Sequence, residues 1–210
     1  MINRMMRMGM LMTLLMSFLM LPTLAAAEDL AEPQALVKDA TEEMLQSLKD
    51  NKEELKVNPD KIYGLVEEIL IPHFDFEKMS KLALGKNWKK ADASQRAEFT
   101  EEFRLLLVRT YSTAMLEYTG DEIRMLPFKG DVSKKKVKVK TEVLQPAGPS
   151  IPMSFSMYMN KADVWKVYDV KIDGISLVTN YRSTFATEIR NDGMDKLIDR
   201  LASRNEKVKA

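Results

Sequence analysis

Trp165-Lys-Val-Tyr-Asp-Val-Lys-Ile-Asp-Gly-Ile-Ser-Leu-Val-Thr-Asn-Tyr-Arg182 decides how this chain folds. Up to Ile172 the segment reads as a strand, and Asp173-Gly174 is a turn signal that closes the sheet. From Ser176 to Arg190 the apolar spacing is helical, with Leu177, Tyr181, Phe185 and Ile189 on one stripe. The switch of period from 2 to 3.6 across a glycine turn therefore marks the point where a sheet ends and a helical layer resumes.

Upstream of that point the strand signal continues. Val137, Val139, Thr141 and Val143 alternate with Lys136, Lys138, Lys140 and Glu142, which predicts one dry face and one wet face. Pro146-Ala-Gly-Pro149 makes a turn, after which Ile151, Met153, Phe155, Met157 and Met159 alternate with Ser154, Ser156, Tyr158 and Asn160. Asn160-Lys-Ala-Asp163 turns again into Val164–Ile172, and Ile123-Arg-Met125 opens the series. Short connections imply antiparallel neighbours, so the spacing predicts a meander of about four strands.

Before residue 120 the pattern is helical. Apolar residues at Leu36, Val37, Ala40, Met44, Leu45 and Leu48 predict a helix from Pro33 to about Leu55. Asn58-Pro59 is read as an N-cap with proline at the first helical position, opening a helix that Pro72 ends. A short helix over Phe76–Leu84 is stopped by Gly85. Asp92 with Gln95 forms a capping box that starts the longest helix, from about Ala93 to Tyr118, whose second half is apolar on most sides. Asn191-Asp-Gly193 separates a last helix that runs to about Ser203. Helices, then strands, then helices predict an α+β domain: a curved antiparallel sheet with a helical layer on one face.

The first 27 residues read differently. Arg4 and Arg7 precede an apolar run from Met8 to Leu21, followed by Pro22 and Ala25-Ala26-Ala27. This order matches a cleavable secretory signal peptide, and the run is shorter than the roughly 20 residues needed to cross a bilayer. Export to the periplasm, or secretion, as a soluble protein beginning at Glu28 is expected, with residues 28–210 forming one domain. The chain has no cysteine, so its fold must rest on a hydrophobic core without disulfides or thiolate metal ligands. Without the leader, 30 basic residues face 31 acidic ones, which gives no reason to expect nucleic acid as a partner.

Catalytic chemistry has little to stand on. His73 is the only histidine, and Pro72-His-Phe-Asp75 offers a His/Asp pair with no activated serine near it in sequence. A metal site would have to consist almost wholly of carboxylates, and these are spread over helix faces as solvated charge. There is no phosphate-cradling glycine motif. Neither an enzyme nor a cofactor is expected. Lys134-Lys-Lys136 with Lys138 and Lys140 reads first as the wet face of a strand and second as a docking patch or a contact with lipid phosphate.

The methionines point elsewhere. Eight of the 16 lie in the leader, and Met125, Met153, Met157 and Met159 lie on strands. Their unbranched, polarizable side chains suit a surface that adapts to variable apolar ligands, although plain core packing uses them too.

Met79-Ser-Lys-Leu-Ala-Leu-Gly-Lys-Asn-Trp88, Phe99–Tyr118 with Phe103 and Arg109-Thr-Tyr111, and Trp165–Arg182 together resemble the MlaC, or toluene-tolerance, family of periplasmic phospholipid-binding proteins. The resemblance implies a domain NTF2-like or cystatin-like in general shape, with a slot between sheet and helices for phospholipid acyl chains. It also implies two partners, an inner-membrane ABC transporter bearing MCE domains and an outer-membrane lipoprotein–porin complex. Assuming which strand face turns inward, the expected lining is Leu107, Tyr111 and Met115 on the long helix and Met125, Val139, Met153, Phe155 and Met157 on the sheet. Trp165, Tyr168, Ile175 and Leu177 are placed around the strand-to-helix turn. A periplasmic adaptor or chaperone that grips apolar protein segments would use the same surface.

Overall fold

Asp92 and Gln95 form the reciprocal capping box that their spacing predicts: Gln95 N donates to Asp92 Oδ1 (2.9 Å) and Asp92 N to Gln95 Oε1 (3.1 Å). In the computed structural model, which describes residues 30–116, 122–145 and 148–207, this box opens the longest helix. The expected leader, its cleavage point and the expected end of the long helix at Tyr118 lie outside the described residues.

In chain order the helices are α1 (Glu32–Asp50), α2 (Lys52–Val57), α3 (Lys61–Ile69), α4 (Phe76–Leu84) and α5 (Ala93–Leu116), followed after the sheet by α6 (Leu177–Asp192) and α7 (Met194–Lys207). The strands are β1 (Glu122–Met125), β2 (Lys136–Leu144), β3 (Ile151–Met159), β4 (Trp165–Ile172) and β5 (Ile175–Ser176). The sheet runs β1-β2-β3-β4-β5 with every neighbour antiparallel, so the predicted meander is present with a fifth, two-residue strand.

Three boundaries differ from the sequence expectation. The helix predicted from Pro33 to Leu55 breaks at Asn51, whose backbone N–H and side-chain amide both donate to Ser47 O. That local bond lets the asparagine leave the helical ladder. Asn58 makes no side-chain cap: Ile62 N donates to Pro59 O in a tight turn, and α3 starts only at Lys61. The last helix continues past Ser203 to Lys207, held by Asn205 Nδ2 donating to Glu102 O (2.9 Å) on α5. Elsewhere the signals hold. Asp75 caps α4 by accepting from Lys78 N (2.8 Å), Gly85 ends it at φ 56°, and Ser176 caps α6 by accepting from Thr179 N (3.0 Å).

The apolar side chains gather into three clusters. Met79, Phe99, Phe103, Val178, Phe185 and Leu197 join α4, α5, α6 and α7. In this cluster Phe99 stacks on Phe103, while Phe185 meets both edge-on at 5.4 and 5.6 Å. Val37 of α1 packs on the inner sheet face with Val139, Phe155, Met157, Trp165 and Val167. Met44, Ile62, Val66, Ile69 and Val108 form the third, between α1, α3 and α5.

A β-bulge changes the sheet. Met157 pairs with Val167 but Ser156 pairs with Asp169, so Tyr168 is an extra residue on β4. Trp165 and Val167 face inward before it, and Val170 and Ile172 after it. Tyr168 turns to the outer face, where its ring meets that of Tyr158 edge-on at 5.9 Å and Lys78 Nζ lies between them, 3.2 Å from the Tyr158 centroid. Tyr158 also donates its hydroxyl to Asp75, and burial with this bond pushes its pKa up to about 12. The contact pins the start of α4 to the edge of β4, where Asp75 N donates to Val167 O (2.9 Å).

Phe103, fully buried, anchors the helical cluster. Phe103→Ala is expected to lower unfolding free energy by about 3–5 kcal/mol in urea denaturation. Met157 is equally buried, between α1 and the sheet. Met157→Trp is expected to destabilise the fold by about 1–3 kcal/mol through overpacking, read in the same assay.

Candidate functional site

The three clusters do not merge. Where α1, α3 and α5 pass over the inner sheet face they leave a cavity of about 350 Å³. Its walls take members from all three: Val66 and Val108 from the third, Met79 and Leu107 from the helical one, and Val167 and Val170 from the sheet. This volume lies at the small end of the range for ligand pockets, below the larger slot expected for a two-chain lipid.

Six of the twelve predicted lining residues meet on this cavity: Leu107, Tyr111 and Met115 of α5, Met153 and Phe155 of β3, and Leu177 at the start of α6. The other six do not. Val139, Met157 and Trp165 face inward as predicted, but there the first half of α1 lies directly on the sheet. Trp165 is fixed further by its Nε1 donating to Glu32 Oε2 (3.2 Å). Alternation gives the face of a strand and says nothing of position along it, and these three stand at the filled end. Met125 is half-buried on edge strand β1 and packs against the sheet cluster. Tyr168 faces outward, as alternation from inward Trp165 and Val167 requires, so it and Trp165 could not share one wall. Ile175 lies in the turn strand β5 and is 59% exposed.

Sequence reasoning missed the α1 side. Leu36, Val37, Ala40, Met44, Leu45 and Leu48 of α1 form the largest contribution from any one helix to the wall. Their stripe was legible as an amphipathic face, but nothing in it told a face packed on a core from a face turned to a void. Met44, Met79, Met115 and Met153 all line the cavity, so adaptable side chains do stand on its wall, mostly from helices. Half-buried Leu45, Leu48, Ile123 and Ile151, with exposed Ala114, mark the side where the cavity meets solvent.

Polar groups on the wall are few. Thr41 Oγ1 donates back to Val37 O (2.7 Å) on its own helix. Ser112, 1% exposed, has a hydroxyl with no hydrogen-bond partner among the described residues. Burial, with Tyr181 beside it, raises the pKa of Tyr111. His73 reaches the wall from the turn before α4, and burial with nearby Lys166 holds its imidazole below the ordinary value, against a small opposing pull from Glu43. It therefore stands neutral at pH 7. Among the described residues no group of three or more His, Cys, Asp or Glu side chains is placed to hold a metal ion. No described helix is long and apolar enough to cross a membrane.

The chain as a whole has counterparts among known proteins. The chain is 33% identical over 180 residues to toluene tolerance protein ttg2D of Pseudomonas putida, covering 84% of this chain and 83% of that one. It is 22% identical over 191 residues to the intermembrane phospholipid transport system binding protein MlaC of Haemophilus influenzae, covering 89% of each. Its fold superposes on a phospholipid-binding protein from Ralstonia solanacearum, solved in complex with a phospholipid, with a TM-score of 0.78 and 28% identity over 86% of this chain and all of the other. The family model described as MlaC protein matches residues 38–203, which run from α1 to α7 and take in all of the cavity lining except Leu36 and Val37, and the chain belongs to the MlaC family.

Proposed function

We propose that this protein binds phospholipid by its acyl chains in the cavity between sheet and helices and carries it between membranes. The observation that carries the reading is the nearly wholly apolar wall, in a chain similar over most of its length to a protein solved with a phospholipid. Residues 1–27 act as a cleaved export signal, and residues 28–210 work as one lipid-binding domain in the periplasm. Lipid is taken from one membrane complex and handed to another, an outer-membrane lipoprotein–porin complex at one side and an inner-membrane MCE-domain transporter at the other.

The energetics favour docking over release. At about 0.8 kcal/mol per methylene, two long acyl chains represent on the order of 20 kcal/mol of burial, so passage through water is too slow to serve. Transfer from one apolar site to another through a docked complex is close to thermoneutral. No covalent step enters, and no catalytic residue or cofactor is assigned. The Ser112 hydroxyl supplies a donor for an ester carbonyl, while the head group remains outside.

The cavity enlarges on loading. An empty closed space of 350 Å³ costs on the order of 8 kcal/mol at roughly 24 cal/mol per Å³, as an upper bound for a space that is partly open. That is comparable with the whole stability of a typical domain. The four methionines on the wall close the space by rotamer changes when it is empty and yield when it is filled. Bound lipid is accordingly expected to raise Tm.

Native mass spectrometry of protein purified without detergent, followed by lipid extraction, tests the reading. About one diacyl phospholipid per chain is expected; a clean apo mass with no uptake from added vesicles would refute it. Ala40→Phe, placed on the wall from α1, is expected to cut lipid content strongly while circular dichroism stays unchanged. His73→Gln is expected to keep lipid. Because the folded imidazole titrates below its unfolded value of about 6.5, the wild type loses stability as pH falls through that value and the variant loses less. Urea midpoints at pH 7.5 and 5.5 read the difference.

A further inference from the structure

The β2 edge ends its partnership with β1 early. Strand pairing covers only Thr141–Leu144 of β2, and one further bond follows, Leu126 N donating to Lys140 O (3.0 Å). Beyond that bond the ladder stops: Leu126 O accepts from Gln34 Nε2 (3.2 Å) on α1, Pro127 has no N–H to offer, and Leu126, Pro127, Lys129 and Gly130 run on as one wall of a groove beside Lys136–Lys140. On the other side, Met159 N donates to Lys135 O, so odd-numbered residues of β2 direct their backbone groups to β3. The N–H and C=O of Lys136 and Lys138 therefore point at the open edge, and they have no backbone partner among the described residues.

The same stretch is basic. Lys136, Lys138 and Lys140 stand on the outer face at two-residue intervals, about 6.6 Å apart, and are exposed. With Lys129 they line a groove that extends over Ser156 to Tyr168. None of these four lysines has a carboxylate within ion-pair distance among the described residues. The nearby acids are committed elsewhere: Glu142 pairs with Arg124, and Asp169 accepts from Ser176 Oγ (2.8 Å) and Val178 N (3.3 Å).

We infer that the open edge of β2 from Lys136 to Lys140 docks an extended acidic segment of a protein partner, which adds as a strand beside it. The backbone groups of Lys136 and Lys138 supply the ladder, and alternate acidic side chains of the partner meet the lysine row. An edge with charged, strand-spaced side chains selects its partner as well as excluding others. Two copies of this edge would set lysine against lysine, which disfavours self-pairing. A bilayer surface meets the charge but supplies no strand to satisfy the unpaired backbone groups. The site lies on the face of the sheet opposite the cavity, so a carrier held there keeps its cavity side free.

The probe is a fluorescein-labelled peptide of alternating Glu and Val, titrated with purified protein at low ionic strength and read by fluorescence anisotropy. Saturable, salt-sensitive binding is expected, with slowed amide exchange at Lys136 and Lys138. The double variant Lys136→Glu/Lys138→Glu is expected to weaken binding by about tenfold or more. Both side chains are exposed, so its Tm and copurified lipid should match the wild type. The same peptide N-methylated at alternate residues should fail to bind, because the ladder is blocked while the charge is kept. Absent binding, equal binding of the methylated peptide, or an unaffected double variant would overturn the proposal. So would binding of phosphatidylglycerol vesicles through these lysines with no response to the peptide, or a dimer in sedimentation that the double variant abolishes. Lipid content is read separately, so failure here leaves the carrier reading intact.

Discussion

Everything in this fold depends on keeping α5 off the sheet. The second half of α5 is apolar around most of its circumference, and the inner sheet face carries large side chains, so direct contact would be the default outcome of hydrophobic collapse. It is prevented from both ends. Phe99 and Phe103, with Phe185 edge-on to both and Leu197 beside them, hold α5 against α6 and α7, and Arg104 ties it to Glu67 of α3. At the opposite end of the sheet α1 lies on Val139, Met157 and Trp165. What remains between is a space that no neighbouring element can enter without breaking one of the clusters.

The arrangement shows how a small domain accommodates a void. A cavity within a single core would be surrounded by side chains able to relax inward, and the core would close on it. Three clusters, each packed about its own fully buried residues, share the load, so the space at their junction persists while each part stays dense. Methionines occur on that shared wall because they change shape at little cost. Phe99, Phe103 and Phe185 lie inside the helical cluster, off the wall, while Phe74, Phe76, Tyr111 and Phe155 stand on it.

The two faces of the sheet serve different physics. The inner face is divided between packing and the cavity wall. The outer face carries lysines on β2, hydroxyls on β3, and the Tyr158–Tyr168–Lys78 contact that fastens α4. The bulge at Tyr168 links them, because the extra residue shifts Val170 and Ile172 into phase with the wall while Tyr168 stays on the outer face. One inserted residue thus helps to set both the shape of the cavity and the anchoring of the helix next to it.

The sequence by itself determined the element types, their order and the antiparallel meander, because capping boxes, proline and glycine stops, and changes of hydrophobic period act over a few residues. It also pointed to α5 and the sheet as walls of an apolar site, and half of the side chains it selected, Leu107, Tyr111 and Met153 among them, do line the cavity. Only the tertiary structure decided which end of the sheet is filled and which is hollow. Val139 and Met157 share their face with Phe155, yet α1 covers the former two and leaves Phe155 at the cavity. Periodicity reports which way a side chain points; how far away the opposing element lies is set by contacts from elsewhere in the chain, here the helical cluster that holds α5 and the line α1 takes across the strands.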